Sequence, residues 1–201
     1  DNGGGPAVGD PSRVTGDGDE LAAAAGRALQ TGEPEKAVAL YQRALRAGAE
    51  DAAAHHLYHR LGVAAVRAGE RETAVSAARK ATELAPKRAD YWEARGVACR
   101  EAGRYAEAID CFERAIKLAP DDPKLPSGLG AVHVHAGKLK EAVAAFRRGI
   151  DKHPRYPVLH SNLALALGMS GRFDQAERAL ARAVDLGYSR AGEVETRLER
   201  M

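Results

Sequence analysis

Small and apolar residues recur along this chain with a period of 34 residues. Three residue types keep that step: the glycines Gly69, Gly103, Gly137 and Gly171, the alanines Ala74, Ala108, Ala142 and Ala176, and the prolines Pro86, Pro120 and Pro154. Gly32 and Ala37 precede the first glycine and alanine by 37 residues, so an earlier copy carries three extra residues, which we assign to 52–54. The pattern predicts five repeats, over residues 18–51, 55–88, 89–122, 123–156 and 157–190.

Each repeat has the pattern of two helices. In the third repeat the two apolar faces are formed by Trp92, Gly96 and Cys99 and by Ala108, Phe112 and Ala115. Gly103 lies between them and provides the left-handed residue with which many helices end. Pro120 marks the end of the second helix. Gly96 is expected to face Ala108, which would let the two helices approach closely.

The third repeat resembles the tetratricopeptide repeat consensus at Trp92, Gly96, Tyr105, Ala108, Phe112, Ala115 and Pro120. The resemblance covers about 170 of the 201 residues. It departs from the consensus at Arg95, where leucine is usual, and at Tyr188, where a proline is expected. The resemblance implies an all-α fold, a right-handed α-solenoid or superhelix of about five helix-turn-helix repeats with a C-terminal capping helix.

The two ends of the chain differ from the repeats. Residues 1–17 lack apolar periodicity and are rich in Gly, Pro and Asp, so we expect a flexible tail or linker there. Residues 191–201 carry a single apolar stripe at Val194, Leu198 and Met201. One stripe on a charged helix is typical of a helix that covers the open face of a last repeat.

Charge and composition exclude several classes of partner. The net charge is +2, and the basic residues are interleaved with acidic ones, so no nucleic acid is expected as a partner. No apolar run is long enough to span a membrane, although a lipid anchor before Asp1 stays open. The two cysteines, Cys99 and Cys111, are too few for a disulfide framework or a four-ligand zinc site, and we interpret them as core residues.

The search for catalytic or metal-binding motifs favours a protein that is not an enzyme. His55, His56 and His59 lie near one another on a predicted helix, but the run HHLYH lacks the glutamate of a zinc protease motif, and we expect no metal. The glycines are not followed by the Lys-Ser/Thr pair of a phosphate-binding loop. No serine stands in a nucleophile-elbow context, so we expect no catalytic residue and no cofactor.

The family resemblance implies that the first helix of each hairpin lines a concave groove. Carried over by repeat position, the candidate partner-binding residues are His59, Arg60, Val63, Val66, Arg67, Asp90, Glu93, Val97, Arg100, Lys124, Ala131, Val134, His135, Asn162, Leu165 and Met169. The apolar members form a stripe rimmed by charge, which is typical of interaction surfaces. In the alternative interpretation, the valines pack between neighbouring helices.

The leading hypothesis is a non-catalytic adaptor that binds a helix or an extended segment of another protein in this groove. Size and tail resemble bacterial tetratricopeptide lipoproteins of pilus and secretion assemblies, a similarity of fold alone. One alternative is the substrate-selecting arm of a larger enzyme whose catalytic domain lies outside this chain, and another is self-association. The sequence allows two compartments. One is the cytoplasm, and the other, if a signal sequence was removed before Asp1, is the periplasm or envelope.

Overall fold

The computed structural model describes residues 11–48 and 54–200 of the chain. Within these ranges the regular structure consists of helices, without a strand. The predicted all-α fold of helical hairpins is confirmed for the residues in these ranges.

The helices divide between two compact units, one ending at Pro86 and one beginning at Lys87. In the first unit, α1 to α4 span Pro11–Gln30, Pro34–Arg46, Ala54–Ala68 and Arg71–Leu84. In the second, α5 to α11 span Ala89–Glu101, Tyr105–Leu118, Lys124–His135, Leu139–Lys152, Pro157–Met169, Phe173–Asp185 and Ala191–Glu199. Each predicted repeat corresponds to one helical hairpin. Within each unit, the second helix of a hairpin also packs against the first helix of the next.

A glycine follows the first helix of each hairpin and ends it. Gly103 has a φ of +73°, and the N–H of Arg104 donates to the carbonyl oxygen of Cys99 at 2.8 Å. A hydrogen bond of this kind across a left-handed residue is a Schellman ending, in which only glycine avoids a steric penalty. The 34-residue spacing of the glycines therefore reflects a repeated backbone conformation.

The ring of Phe112 packs between two first helices of the second unit. A Cβ added to Gly96 on α5 would lie 2.8 Å from two carbons of this ring, and one added to Gly128 on α7 would overlap the ring's other edge. The Phe112 ring is therefore held between two glycines on successive first helices, and it is 1% exposed. The expected approach of Gly96 to Ala108 is confirmed, since the backbone oxygen of Ala108 would lie 3.4 Å from a Cβ at Gly96, and the Phe112 ring is a second and closer neighbour that was not predicted.

The start of the first helix differs from the prediction. Helix α1 begins at Pro11, inside the segment 1–17 that we expected to be a tail, whereas residues 1–10 lie outside the described part of the chain. Proline suits the first turn of a helix because its missing N–H has no partner there. Adding residues to an existing helix is also much easier than nucleating a new one. Residue 54, one of the three assigned to the insertion, begins α3, and the other two lie outside the described residues.

Helix α11 lies where the C-terminal capping helix was predicted. Val194 is buried among the side chains of α9 and α10, and Leu198 packs partly against the same cluster. Met201, the third member of the predicted stripe, lies outside the described residues. The helix therefore covers part of the last hairpin.

Substitution of Gly96 by alanine is expected to destabilise the protein by about 1–3 kcal/mol, since the buried Phe112 ring has Gly128 behind it and no room to move. Gly62→Ala is the matched control at the same repeat position. There a Cβ meets ordinary contacts at 3.4–3.5 Å on Ala74 and Ala78, so stability should stay equal or rise by up to about 1 kcal/mol. Urea unfolding of both variants measures the difference, and a Gly96→Ala protein as stable as the parent would contradict the packing described.

Candidate functional site

The candidate partner-binding residues all lie on first helices of hairpins, and the two units carry them separately. Helix α3 of the first unit holds His59, Arg60, Val63, Val66 and Arg67. Within the second unit, the remaining residues lie on α5, α7 and α9, where α7 contacts both of the others. None of the sixteen is fully buried, so each keeps some surface for a partner. We call the surface formed by α5, α7 and α9 the first-helix face.

Four apolar residues of the first-helix face are half-buried, whereas Met169 on α9 is exposed. Val97, Ala131, Val134 and Leu165 all have intermediate exposure. Val134 and Leu165 pack against the core cluster that includes Phe146 and Leu163. Val134 and Leu165 therefore each contact the core with one side and leave the other side accessible to solvent.

A side-chain hydrogen bond joins two neighbouring first helices across this face. The amide nitrogen Nδ2 of Asn162 on α9 donates to Oγ of Ser127 on α7 at 2.9 Å. The two residues are 35 apart in the sequence, one more than the repeat period, so the sequence places them side by side on successive first helices. Ser161, which lies 34 residues after Ser127, is fully buried and does not reach the surface.

Some charged side chains of the face already have partners. The Arg88 guanidinium donates to both carboxylate oxygens of Asp90, at 2.9 and 2.7 Å. Arg100 pairs with Glu101 at 2.8 Å. Lys124 and His135 are exposed, and no ion pair within the described part of the chain involves them. These two are therefore the polar groups of the face most available to a ligand.

Glu93 is the candidate residue with the most perturbed chemistry. Burial raises the pKa of its carboxyl group, and the nearby Asp122 carboxylate raises it further, whereas Lys124 acts in the opposite direction. The charged form of a half-buried acid loses hydration, which is why the protonated form gains. A partner that supplied a cation or a donor here would relieve that cost.

The histidines show no metal-binding arrangement. The rings of His55 and His56 lie 4.1 Å apart, but no group of three His, Cys, Asp or Glu side chains among the described residues could hold an ion. Residues 49–53, which precede these histidines, lie outside that search. Burial lowers the pKa of His133 on α7, so its imidazole is neutral at pH 7.

No helix in residues 11–48 or 54–200 is long and apolar enough to cross a bilayer.

The two cysteines lie in the core of the third hairpin. Cys99 on α5 and Cys111 on α6 are both free thiols and both buried. A hydrogen bond between them and their burial raise the pKa of Cys111 far above its usual range. The same hydrogen bond lowers the pKa of Cys99, so Cys111 is the protonated member of the pair. Both side chains are buried, as expected for core residues.

Comparison with known proteins points to one family. A profile described as "Tetratricopeptide repeat" matches residues 59–123, and a second profile with that description matches residues 100–154 and 133–189. No curated protein matches the chain. Similar solved structures include MamA from Desulfovibrio magneticus RS-1, with 20% identity, a TM-score of 0.71 and coverage of 86% of this chain and 96% of that chain. A second is TTC0263, a thermophilic TPR protein of Thermus thermophilus, with 18% identity, a TM-score of 0.67 and coverage of 91% and 97%.

A further similar structure is YrrB, described as a TPR protein with an unusual peptide-binding site. It has 19% identity and a TM-score of 0.65, with 92% of this chain and 93% of that chain covered. At these identities the likeness is one of fold alone.

Replacing Glu93 by glutamine is expected to stabilise the protein at pH 7. The pKa of Glu93 is higher in the folded than in the unfolded state, so its ionisation favours unfolding at every pH above the folded value. That penalty disappears as the pH falls below the ordinary value near 4.5, where both states are protonated. Thermal melting across this range should therefore show a gain for Glu93→Gln only at the higher pH values. Glu72→Gln, at an exposed position on α4, is the control and should show no such trend. A loss of stability at pH 7 would mean that Lys124 dominates.

Proposed function

The chain belongs to the tetratricopeptide repeat family, and from this premise we propose that it is a non-catalytic adaptor that binds a segment of another protein. The segment lies on the first-helix face, with apolar side chains against Val97, Ala131, Val134 and Leu165. The observation that carries the proposal is the half-burial of all four residues, since a purely structural position in a helical core is usually buried completely. The description of YrrB as a protein with a peptide-binding site gives the proposal further support.

The polar groups of the face add specificity to this apolar contact. The Ser127–Asn162 bond leaves the Asn162 carbonyl oxygen as an acceptor for a backbone N–H of the segment. Lys124 and His135 provide a cation and an imidazole at the exposed ends of α7. We therefore infer a partner segment that combines apolar side chains with at least one carboxylate.

We further propose a bacterial assembly at the cell envelope as the setting. Support comes from the Ala-, Arg- and Gly-rich composition, which is typical of GC-rich bacterial genomes. The organisms of two similar structures, a Desulfovibrio and a Thermus, add to it. Fractionation of the source cells with an antibody against the chain tests this proposal, and recovery in the cytosol alone would reject it.

The double variant Val97→Asp, Val134→Asp tests the adaptor function. In a complex each new carboxylate would lose its water against apolar surface, whereas in the free protein it stays partly hydrated. Loss of a central anchor costs about 2 kcal/mol or more, so affinity should fall roughly thirtyfold per site. The measurement is quantitative affinity capture from a lysate of the source cells, followed by titration of the captured protein.

Leu118→Asp is the matched control, because Leu118 is an exposed apolar residue on the second helix α6. It should capture the same protein as the parent. Thermal melting of all three proteins separates binding from folding. Unchanged capture by the folded double variant would reject the first-helix face as the binding site.

A further inference from the structure

Helix α10 carries an apolar face that its neighbours leave open. Phe173 and Val184 are 45% and 51% exposed, and they share one face of the helix with the better-covered Ala176 and Leu180. The two exposed side chains lie about 16 Å apart along the helix, on either side of the buried pair, so the open part of the stripe is at its two ends.

The repeat register explains why this face is apolar. The residues 34 and 68 positions before Val184 are Ile150 and Ile116, and both are half-buried. They lie on α8 and α6, which are followed by the first helices α9 and α7, of 13 and 12 residues. Helix α10 is followed by α11, which begins 34 residues after α9. The repeat position of Val184 is therefore apolar in three successive second helices.

The uncovered face and α11 together form what we call the C-terminal groove. Its cavity of about 420 Å³ is lined by Phe173, Ala176, Glu177, Leu180, Ala181, Val184, Ala191, Glu195, Leu198 and Glu199. Apolar side chains make its floor, and the only charged side chains in its lining are three glutamates. No ion pair among the described residues involves these glutamates.

Glu177 departs from the repeat pattern. The residues at its position in the three preceding repeats are Val75, Ile109 and Val143, which are buried or half-buried apolar residues. A carboxylate here, next to Glu195 and Glu199 on α11, gives the rim of the groove a single sign of charge.

We propose that the C-terminal groove binds a basic amphipathic helix of a partner protein. The helix lies along α10, whose 13 residues are about 20 Å long, in the groove between α10 and α11. Its apolar side chains cover Phe173, Leu180 and Val184, and its Lys or Arg side chains meet Glu177, Glu195 and Glu199. This chain's own residues 1–10 do not match, because they include two aspartates and neither Lys nor Arg. The site is distinct from the first-helix face of the proposed function.

The test uses three synthetic helical peptides of about 16 residues that share leucines at i, i+4, i+7 and i+11. Their flanking positions are all Lys, all Gln or all Glu. Fluorescence titration at low salt should rank the affinities Lys above Gln above Glu. The triple variant Glu177→Gln, Glu195→Gln, Glu199→Gln should weaken binding of the Lys peptide about fivefold to tenfold, and 1 M salt should remove most of that difference. A control with Glu35, Glu72 and Glu141 changed to Gln removes equal charge from exposed sites elsewhere and should bind like the parent.

A second pair of substitutions tests the floor of the groove. Phe173→Ser with Val184→Ser changes two exposed side chains, so the fold should persist by circular dichroism, whereas binding of all three peptides should fall about tenfold or more. Equal affinity for the three peptides, or an equal effect of the control variant, would overturn the proposal. So would loss of Lys-peptide binding in the Val97→Asp, Val134→Asp protein, since the peptide would then lie on the first-helix face. Sedimentation equilibrium tests whether a second copy of this chain occupies the groove. A parent protein that forms a dimer, and a Phe173→Ser, Val184→Ser protein that does not, would also overturn the proposal.

Discussion

The packing of one aromatic ring between two glycines holds the middle of the second unit together. Phe112 lies on α6, and its ring fills the space left by the missing side chains of Gly96 on α5 and Gly128 on α7. Burial of a phenylalanine contributes about 1.5–3 kcal/mol, but only where neighbouring backbones approach closely enough to exclude water. The two glycines permit that approach and bring α5 and α7 into contact. The alignment of Val97 with Ala131 and Val134 on one face depends on this contact.

Much of the fold could be predicted from the sequence because its backbone repeats. A left-handed residue after each first helix requires glycine, so the 34-residue spacing of glycines located the turns of the hairpins. The contact of Gly96 with the Ala108 backbone was predicted, but the closer contact with the Phe112 ring was not. Spacing gives the face of a helix and not the depth to which a side chain on that face reaches. The start of α1 was also missed, because helix propagation into a Gly- and Asp-containing segment leaves no periodic apolar signal.

The candidate partner-binding residues stay a prediction. Family positions place them on the first helices, and the structure shows each of them exposed at least in part. Their half-burial could not be read from the sequence, since Val97 and Ala131 are of the same type as many core residues. The C-terminal groove was missed for a related reason: the stripe at Val194 and Leu198 indicated a covering helix but not how much of α10 it covers. The sequence signal for the groove was Glu177, which stands at a repeat position where the preceding repeats have Val or Ile.

The glycine–ring contact also limits how this gene can change by recombination. Position for position, the hairpins pair Gly62 with Ala78, Gly96 with Phe112, Gly130 with Phe146 and Ala164 with Leu180. A crossover inside a hairpin that joined the first helix of the fifth repeat to the second helix of the third would set a methyl group against the phenylalanine ring. A crossover that joined the first helix of the third repeat to the second helix of the second repeat would instead leave a void. Duplication or exchange of repeats is therefore tolerated only when whole hairpins move, and Gly128 ties even the fourth hairpin to the ring of the third.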